Sequence, residues 1–344
     1  MWFALFPLLA CTGSGSQGAS AEGPAYHHLT GQVFGTNYNV TWRGELSPAV
    51  AKQRIDSALA AVDSQMSTWR PDSDISRARS SPDGLRVDPD TAAVVQYALE
   101  IAERSGGAFD PTVQPLVEVW GIHGERRTQA PTAEELALAM ERVDYRRVSV
   151  QDRGDAGWWL KTGGTALDLS AIAKGFAVDQ VHTALGDLAP DRLVEVGGEV
   201  RASGKGPNGP WTLGVDRPEP GLEPGSSLVA MVALVEQAMA TSGNYRNAYE
   251  VEGQSVVHTL DPRQGRPVQT DVLSVTVVAK DCMAADAWAT TLMVLDLEEG
   301  KRLVESTSEL DALWFVSGST GMRSVSTLGV DWVIRGDGPS DGIQ

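Results

Sequence analysis

DLSAIAKGFAVD, residues 168–179, connects the end of a predicted strand to the start of a predicted helix. Asp168 stands at the turn, and Lys174 lies one helical turn further along the chain. A helix is expected over residues 171–188, because apolar residues recur there on one helical face. These residues are Ile172, Phe176, Val181 and Leu185. The stretch therefore predicts a strand–helix unit at the centre of the chain.

The segments after this helix alternate between predicted strands and one further helix. Residues 192–203, RLVEVGGEVRAS, indicate two short strands separated by a double glycine. Residues 272–279, VLSVTVVA, form a continuous apolar run, which is typical of a buried strand. The remaining predicted elements are a helix over residues 283–296 and strands over residues 313–317 and 330–334.

The part of the chain before this region predicts a strand followed by three helices. Residues 31–43 alternate apolar and polar side chains around a Gly-Thr pair, as a strand interrupted by a tight backbone position would. The helices are expected from Ser47-Pro48, over about residues 89–104, and after the capping box of Thr132 with Glu135. Since the composition does not shift sharply after residue 25, we expect one α+β domain over residues 26–340.

The first residues resemble a lipoprotein export signal. MWFALFPLLA, residues 1–10, is an apolar run too short to span a membrane, and Cys11 follows it. The Gly- and Ser-rich residues 12–25 indicate a flexible tether. We therefore expect a signal segment over residues 1–11 with a lipidated Cys11, which would anchor the protein to the bacterial cell envelope, facing the periplasm or the outer face of the membrane. The alternative is a chance cysteine beside an apolar start.

Charge and cysteine content exclude two classes of protein. The 344 residues carry a formal net charge of −17, so a basic nucleic-acid-binding surface is not expected. The same charge would repel an anionic dinucleotide, and a phosphate site must therefore use a metal ion, backbone N–H groups or one placed lysine. With two cysteines in the chain, a disulfide framework is excluded as the organising principle.

Two segments are candidates for phosphate binding. One carries Lys174 near the start of a predicted helix, and the other carries the double glycine Gly197-Gly198. Backbone N–H groups at a helix start and the ammonium of Lys174 favour an anion, although Asp168 could equally cap the helix and Lys174 could be solvated. Gly197 and Gly198 allow close approach to a ligand, but neither the GxGxxG nor the P-loop pattern is present. Arg201 is expected to pair with a structural carboxylate, with phosphate as the alternative.

Two further motifs provide a possible base and a possible metal site. His258 lies three residues before Asp261-Pro262, and a histidine at the mouth of such a turn suits a general base, although a lone histidine is more often structural. Asp286 and Thr290 are four residues apart, so a helix places both oxygens on one face. One carboxylate and one hydroxyl suit Mg²⁺, which keeps waters and takes phosphate ligands. The alternative is an N-terminal helix charge beside a packed threonine.

The order of these motifs resembles that of the FAD:protein FMN transferases, the ApbE family, over nearly all of residues 30–335. FGTNYNV at 34–40, MSTWRPDSDIS at 66–76 and GGAFDPTV at 106–113 complete the resemblance. The resemblance implies a single ApbE-like, T-fold-type domain of mixed sheets and packed helices. It also implies an FAD site lined by Phe34, Trp69, Ala108, Phe109, Asp110, Asp168, Lys174 and Leu260.

The resemblance further implies a magnesium-dependent flavinyltransferase. Mg²⁺ would be held by the Ala171 carbonyl and by the Asp286 and Thr290 side chains, and His258 would deprotonate the acceptor hydroxyl. The reaction would cleave FAD, attach FMN to a Ser or Thr of a target protein and release AMP. The target would be a subunit of a membrane redox complex. The alternatives are a Mg²⁺-dependent FAD pyrophosphatase that yields FMN and AMP, and a non-enzymatic flavin-binding lipoprotein.

Three positions depart from the pattern of the family. Phe34 replaces the usual Met, Trp69 stands where Tyr is common, and Gln264 replaces a common Thr in the turn after Asp-Pro. All three substitutions keep size or polarity, so we expect them to affect affinity more than activity.

Overall fold

The computed structural model describes residues 25–81, 83–122, 127–245, 249–251, 254–319, 321–335 and 340–342. The predicted signal segment, the lipidated Cys11 and nearly all of the tether lie outside the described residues and stay predictions. None of the helices within these ranges has both the length and the apolar character needed to cross a membrane.

The described residues contain eight α-helices, three short 3₁₀ turns and nineteen strands. The helices are α1 Pro48–Met66, α2 Asp74–Arg79, α3 Pro89–Arg104, α4 Gln114–Trp120, α5 Ala133–Met140, α6 Ala173–Leu185, α7 Cys282–Val294 and α8 Leu297–Glu305. The strands of the main sheet are β1 His27–Val33, β2 Thr36–Arg43, β6 Asp191–Val196, β7 Glu199–Ser203, β10 Ala238–Gly243, β15 Val272–Ala279, β16 Asp311–Gly318, β17 Gly321–Ser326 and β19 Ser340–Gly342. The other strands are β3 Leu85–Val87, β4 Ser149–Asp152, β5 Trp158–Lys161, β8 Trp211–Asp216, β9 Leu228–Leu234, β11 Tyr249–Val251, β12 Gln254–Val256, β13 Leu260–Asp261, β14 Arg266–Pro267 and β18 Val333–Ile334.

The main sheet has the strand order β1-β2-β6-β7-β10-β15-β16-β17-β19. All neighbouring strands are antiparallel except β17 and β19. Strand β10 pairs with β7 on one side and with β15 on the other, so residues distant in sequence meet at the centre of the sheet. This non-local pairing brings the double-glycine turn before β7 close to the end of β10.

The two faces of the main sheet are covered by different layers. Helices α1, α6 and α7 pack on one face, and their apolar residues join Val194, Ala240 and Val277 in the largest core cluster. The opposite face packs on the small sheet of β18, β9 and β8, where Trp211 and Val232 contact Met239. Alternate residues of β10 therefore face opposite layers, which is the expected two-residue period of a strand. These layers confirm the predicted α+β fold of mixed sheets and packed helices.

Two of the predicted strand boundaries need correction. Residues 31–43 belong to two strands of a hairpin, not to one interrupted strand, because Phe34 and Gly35 form a tight turn with φ angles of 51° and 73°. Left-handed conformations at both central residues suit the right-handed twist of a hairpin. Of residues 330–334, Val333–Ile334 alone forms a strand. The capping box of Thr132 with Glu135 is confirmed at the start of α5.

Gly175 sets the close approach of helices α6 and α7. A Cβ atom at this position would lie 2.2 Å from the Cys282 carbonyl oxygen and 2.8 Å from the Asp286 Cβ. Real Cβ atoms do not approach backbone this closely, so only glycine permits the observed distance between the helices. The absence of a side chain also lets the Gly175 N–H donate to Asp286 Oδ2 at 2.9 Å.

We expect Gly175→Ala to destabilise the protein by about 1–3 kcal/mol or more, because the added methyl group must force α6 and α7 apart. The matched control is Gly300→Ala in α8, where the new methyl group would meet its nearest neighbour at an ordinary 3.4 Å. That change should be neutral or stabilising by up to about 1 kcal/mol through helix propensity. Urea unfolding measures both, and equal stability of the two variants would contradict this account.

Candidate active site

A cavity of about 590 Å³ opens where β7 begins and β10 ends. Its walls come from α6, α7, the strands β7, β8 and β10, and the loops that precede α4 and α6. A cavity of this size accommodates a ligand as large as a dinucleotide. The wall is therefore assembled from segments spread over most of the chain.

The structure places ten of the twelve predicted site residues in the wall of this cavity. They are Ala108, Phe109, Asp110, Asp168, Ala171, Lys174, His258, Leu260, Asp286 and Thr290. Phe34 and Trp69 do not line it. Phe34 occupies the turn between β1 and β2, and Trp69, which is 72% exposed, follows α1. The FAD contacts predicted for these two aromatic residues stay predictions.

Two aspartates shape the loops on one side of the cavity. Asp110 Oδ1 accepts hydrogen bonds from the N–H and the hydroxyl of Thr112 at 2.8 and 2.6 Å, and Oδ2 accepts from the Tyr145 N–H at 3.1 Å. Burial raises the pKa of Asp110, and these hydrogen bonds oppose the rise. Asp168 Oδ1 accepts from the N–H and the hydroxyl of Ser170, so it stabilises a turn and does not cap α6 directly.

Lys174 lies between two buried carboxylates. Its Nζ pairs with Glu199 Oε1 and is 3.7 Å from Asp286 Oδ1. Burial raises the pKa of both carboxyl groups, and the Lys174 charge opposes that rise. Burial alone would lower the pKa of Lys174, but Asp286 and Glu199 together raise it. Lys174 is therefore held as an ammonium ion in the wall of the cavity and is not simply solvated.

Two of the three predicted metal-binding residues, Asp286 and Thr290, lie on helix α7, and the third, Ala171, precedes α6. Asp286 and Thr290 are one turn apart, both line the cavity, and Thr290 Oγ1 lies 3.3 Å from Ser242 Oγ. The N-cap of α7 is Asp281, whose carboxylate accepts from the Ala284 N–H at 2.9 Å. Asp286 is therefore not the capping charge of this helix, and its carboxylate is left to face Lys174 and the cavity.

The segment that carries His258 is fixed from two sides. The hydroxyl of Thr259 donates to Asn244 Oδ1 at 2.7 Å, which ties this segment to the end of β10. Asp261 accepts from the guanidinium of Arg263 at 3.0 Å and from Gln264 Nε2 at 2.9 Å. Gln264 is one of the three positions that depart from the family pattern, and its amide therefore supports the turn. His258 is half-buried at the cavity wall.

Arg201 has a structural role, as the sequence favoured. Its Nη1 lies 2.6 Å from Asp179 Oδ1, and Asp179 also accepts from the N–H groups of Cys282 and Met283 at 3.0 and 2.8 Å. This network joins α6, β7 and the start of α7. Cys282 itself is buried, as expected for a small apolar residue.

Sequence reasoning missed Glu199, Ser170, Asp216 and Tyr245, all of which line the cavity. Glu199 directly follows Gly197-Gly198, and that position was the one signal that pointed to it. Its pairing with Lys174 depends on the packing of α6 against β7, which no local pattern encodes. Asp216 and Tyr245 reach the cavity through the strand β8 and the turn after β10.

A lysine, buried carboxylates, hydroxyl groups and a histidine around one cavity are typical of an enzyme that acts on a phosphate-containing ligand. The model of the ApbE family matches residues 34–314, and the chain belongs to this family. The FAD:protein FMN transferase of Vibrio cholerae is 35% identical over 322 residues, covering 90% of this chain and 93% of that protein.

Solved structures agree with this assignment. The flavin transferase ApbE from Vibrio cholerae is similar with a TM-score of 0.78 and 33% identity, over 88% of this chain and 97% of that one. The apo form of the Pseudomonas stutzeri flavinyl transferase ApbE has a TM-score of 0.78 and 31% identity, over 89% of this chain and 96% of that one. The predicted family and fold are thereby confirmed.

We expect Lys174→Gln to make the stability of the protein strongly dependent on pH. Without the ammonium, the buried carboxyl groups of Glu199 and Asp286 keep a folded-state pKa further above the unfolded value. The unfolded state then loses these protons first as the pH rises, so stability is retained at about pH 5 and lost towards about pH 8.

Urea unfolding at the two pH values measures this dependence. The control is Lys52→Gln, which removes an exposed ion pair with Asp56 on α1 and should have little effect at either pH. A Lys174→Gln variant that loses the same stability at both pH values would contradict the assignment of this charge.

Proposed function

We propose that this protein is an FAD:protein FMN transferase, which cleaves FAD and attaches FMN through a phosphoester bond to a Ser or Thr of a target protein. The observation that carries the proposal is the single cavity that brings Lys174, Asp286, Thr290 and His258 together. Membership of the ApbE family and similarity to an FAD:protein FMN transferase over nine-tenths of the chain support it.

The two loops that contain Asp110 and Asp168 would bind FAD. Ala108, Phe109 and Leu260 provide apolar surface, and Lys174 provides the charge that pairs with the phosphates. The chain carries a net charge of −17, so this ammonium and the proposed metal ion must together offset the repulsion of an anionic substrate. Phe34 and Trp69 are proposed as additional FAD contacts on sequence grounds alone.

The donor set around Asp286 fits Mg²⁺. One buried carboxylate, the hydroxyl of Thr290 and the carbonyl of Ala171 are hard oxygen ligands, and all three residues line the cavity. Within the described ranges no cluster of three or more His, Cys, Asp or Glu side chains could hold a metal. A sparse set of this kind suits Mg²⁺, which retains waters and accepts substrate phosphates as ligands. When bound, the metal would neutralise charge that develops on the phosphates.

The chain's own groups position the acceptor and move one proton. His258 accepts the proton of the acceptor hydroxyl, and that oxygen forms a new bond to the FMN phosphorus. The bond between this phosphorus and the bridging oxygen breaks, and the bridging oxygen leaves with AMP. Lys174, fixed by Glu199, holds its charge beside the phosphates throughout. Positioning and electrostatics supply most of the rate in phosphoryl transfers of this kind.

The proposed location is the bacterial cell envelope, with a lipid anchor at Cys11. The apolar residues 1–10, the cysteine and the tether-like residues 12–25 support it. An enzyme held at the membrane would meet flavin-carrying subunits of membrane redox complexes, which are the proposed acceptors. These statements rest on the sequence.

The decisive experiment incubates the purified protein with FAD, Mg²⁺ and a candidate acceptor domain, with and without chelator. An acceptor heavier by one FMN, with AMP released only when metal is present, would establish the transferase. Free FMN and AMP beside an unmodified acceptor would favour the FAD pyrophosphatase. FAD that stays intact but co-purifies with the protein would favour the flavin-binding lipoprotein.

Two variants test the proposed metal ligand and the proposed general base separately. Asp286→Ala should abolish metal-dependent AMP release, because it removes the one carboxylate among the proposed metal ligands. His258→Ala should leave FAD affinity unchanged but slow transfer by about 10²- to 10⁴-fold, the usual contribution of a general base. His28→Ala on the edge strand β1, outside the cavity, is the matched control and should keep full activity. Full transfer by Asp286→Ala would refute the metal assignment.

A further inference from the structure

Glu199 has one carboxylate oxygen whose role the mechanism does not explain. The residue begins β7, lines the cavity and is 5% exposed. Its Oε1 pairs with Lys174, whereas Oε2 is buried without a hydrogen-bond partner among the residues that the structure describes. A buried acceptor without a donor costs free energy, and such groups commonly bind water or a ligand.

The unpaired oxygen faces the double-glycine turn. A Cβ atom on Gly197 would lie 3.3 Å from Glu199 Oε2 and 3.5 Å from Thr36 Oγ1. The Thr36 hydroxyl is also buried without a partner in the described part of the chain. An acceptor and a group able to donate therefore flank the same glycine, which has a left-handed φ of 67°. Thr36 Cγ2, 3.0 Å from the same Cβ position, leaves no room for a side chain there, and Gly197 and Glu199 line the cavity whereas Thr36 does not.

The chemistry of the two atoms restricts what can satisfy them. A hydroxyl group both donates to a carboxylate and accepts from a threonine. A phosphate oxygen has no proton to donate and would be repelled by Glu199. A metal-bound water donates well, but its lone pair is already directed at the metal, so it is a poor acceptor. The pair of atoms therefore favours an alcohol or a free water, and deoxy analogues of the substrate distinguish the two.

We infer that Glu199 Oε2 binds a sugar hydroxyl of the flavin dinucleotide, in either the ribityl chain or the ribose. This inference rests on the proposed function, because both of these polyols border the pyrophosphate that Lys174 would bind. Lys174 holds the other oxygen of the same carboxylate, so a hydroxyl a few bonds from the phosphate lies within reach of Oε2. Glu199 would then have two roles, to position Lys174 and to bind the sugar hydroxyl.

The test is equilibrium binding of FAD and of its deoxy analogues to the purified protein, with Mg²⁺ and without acceptor. One set of analogues lacks single ribityl hydroxyls, and the other lacks single ribose hydroxyls. Loss of one hydroxyl should weaken binding to the wild-type protein by about tenfold to a hundredfold, the effect of a hydrogen bond to a charged group. The set that contains the sensitive analogue identifies the sugar.

Glu199→Gln should abolish this discrimination. Lys174 would turn the amide oxygen of the glutamine towards itself, which leaves an NH₂ donor where the acceptor Oε2 had been. The matched control is Glu195→Gln on strand β6, the other strand of the same hairpin. Both oxygens of Glu195 are already bonded, to the Gly198 N–H at 2.8 Å and to Asn39 Nδ2 at 2.5 Å. This variant should keep the affinity ratio between FAD and the sensitive analogue.

Three results would overturn the inference. The first is that every analogue binds the wild-type protein as tightly as FAD does. The second is that the discrimination persists in Glu199→Gln. The third is that Glu199→Gln weakens Mg²⁺ binding in a separate titration and leaves the analogue ratio intact, which would assign Oε2 to metal-bound water. Absence of any FAD binding to the wild-type protein would instead refute the proposed function.

Discussion

The ammonium of Lys174 between Glu199 and Asp286 is the interaction on which the site and its surroundings depend. Each carboxylate comes from a different element, β7 or α7, and the lysine comes from α6. Two buried carboxylates without a cation would be strongly unfavourable, so the lysine permits both elements to present acids to one cavity. Gly175 completes the arrangement, because the close approach of α6 and α7 allows its N–H to bond Asp286. The stability of the fold and the chemistry of the site therefore depend on the same three charged side chains.

The same three charges suggest an order of binding. Together with Asp110, Asp168 and Asp216, these groups line the cavity with five carboxyl groups against one ammonium, within a chain of net charge −17. An anionic dinucleotide would meet repulsion there, whereas a divalent cation would be attracted to Asp286. Metal binding before or together with the dinucleotide would reduce this negative charge. An acidic protein can thus serve an anionic substrate if a cation occupies the site with it.

Local patterns predicted the elements, and non-local packing decided the site. Helix α6 was predictable because Phe176 and Val181 recur on one face, and both are buried. The spacing of Asp286 and Thr290 placed both correctly on one side of α7. Glu199 was missed because its partner is 25 residues away in sequence and meets it only through the packing of α6 on β7. The hairpin at Phe34 was missed because the sequence there lacks the usual Asn-Gly or Asp-Gly signal.

Whether such a site transfers FMN or hydrolyses FAD depends on how the nucleophile is held. In the proposed mechanism, transfer and hydrolysis would share the metal, the lysine and the base, and they would differ only in whether an alcohol or a water reaches the phosphorus. His258 must therefore be rigid enough to select one nucleophile. The hydrogen bond from Thr259 to Asn244 fixes one end of its segment, and the bonds of Asp261 to Arg263 and Gln264 fix the other. Because its segment is fixed at both ends, His258 would lose little conformational entropy when the acceptor docks. This rigidity favours a hydroxyl group held in position over a mobile water molecule.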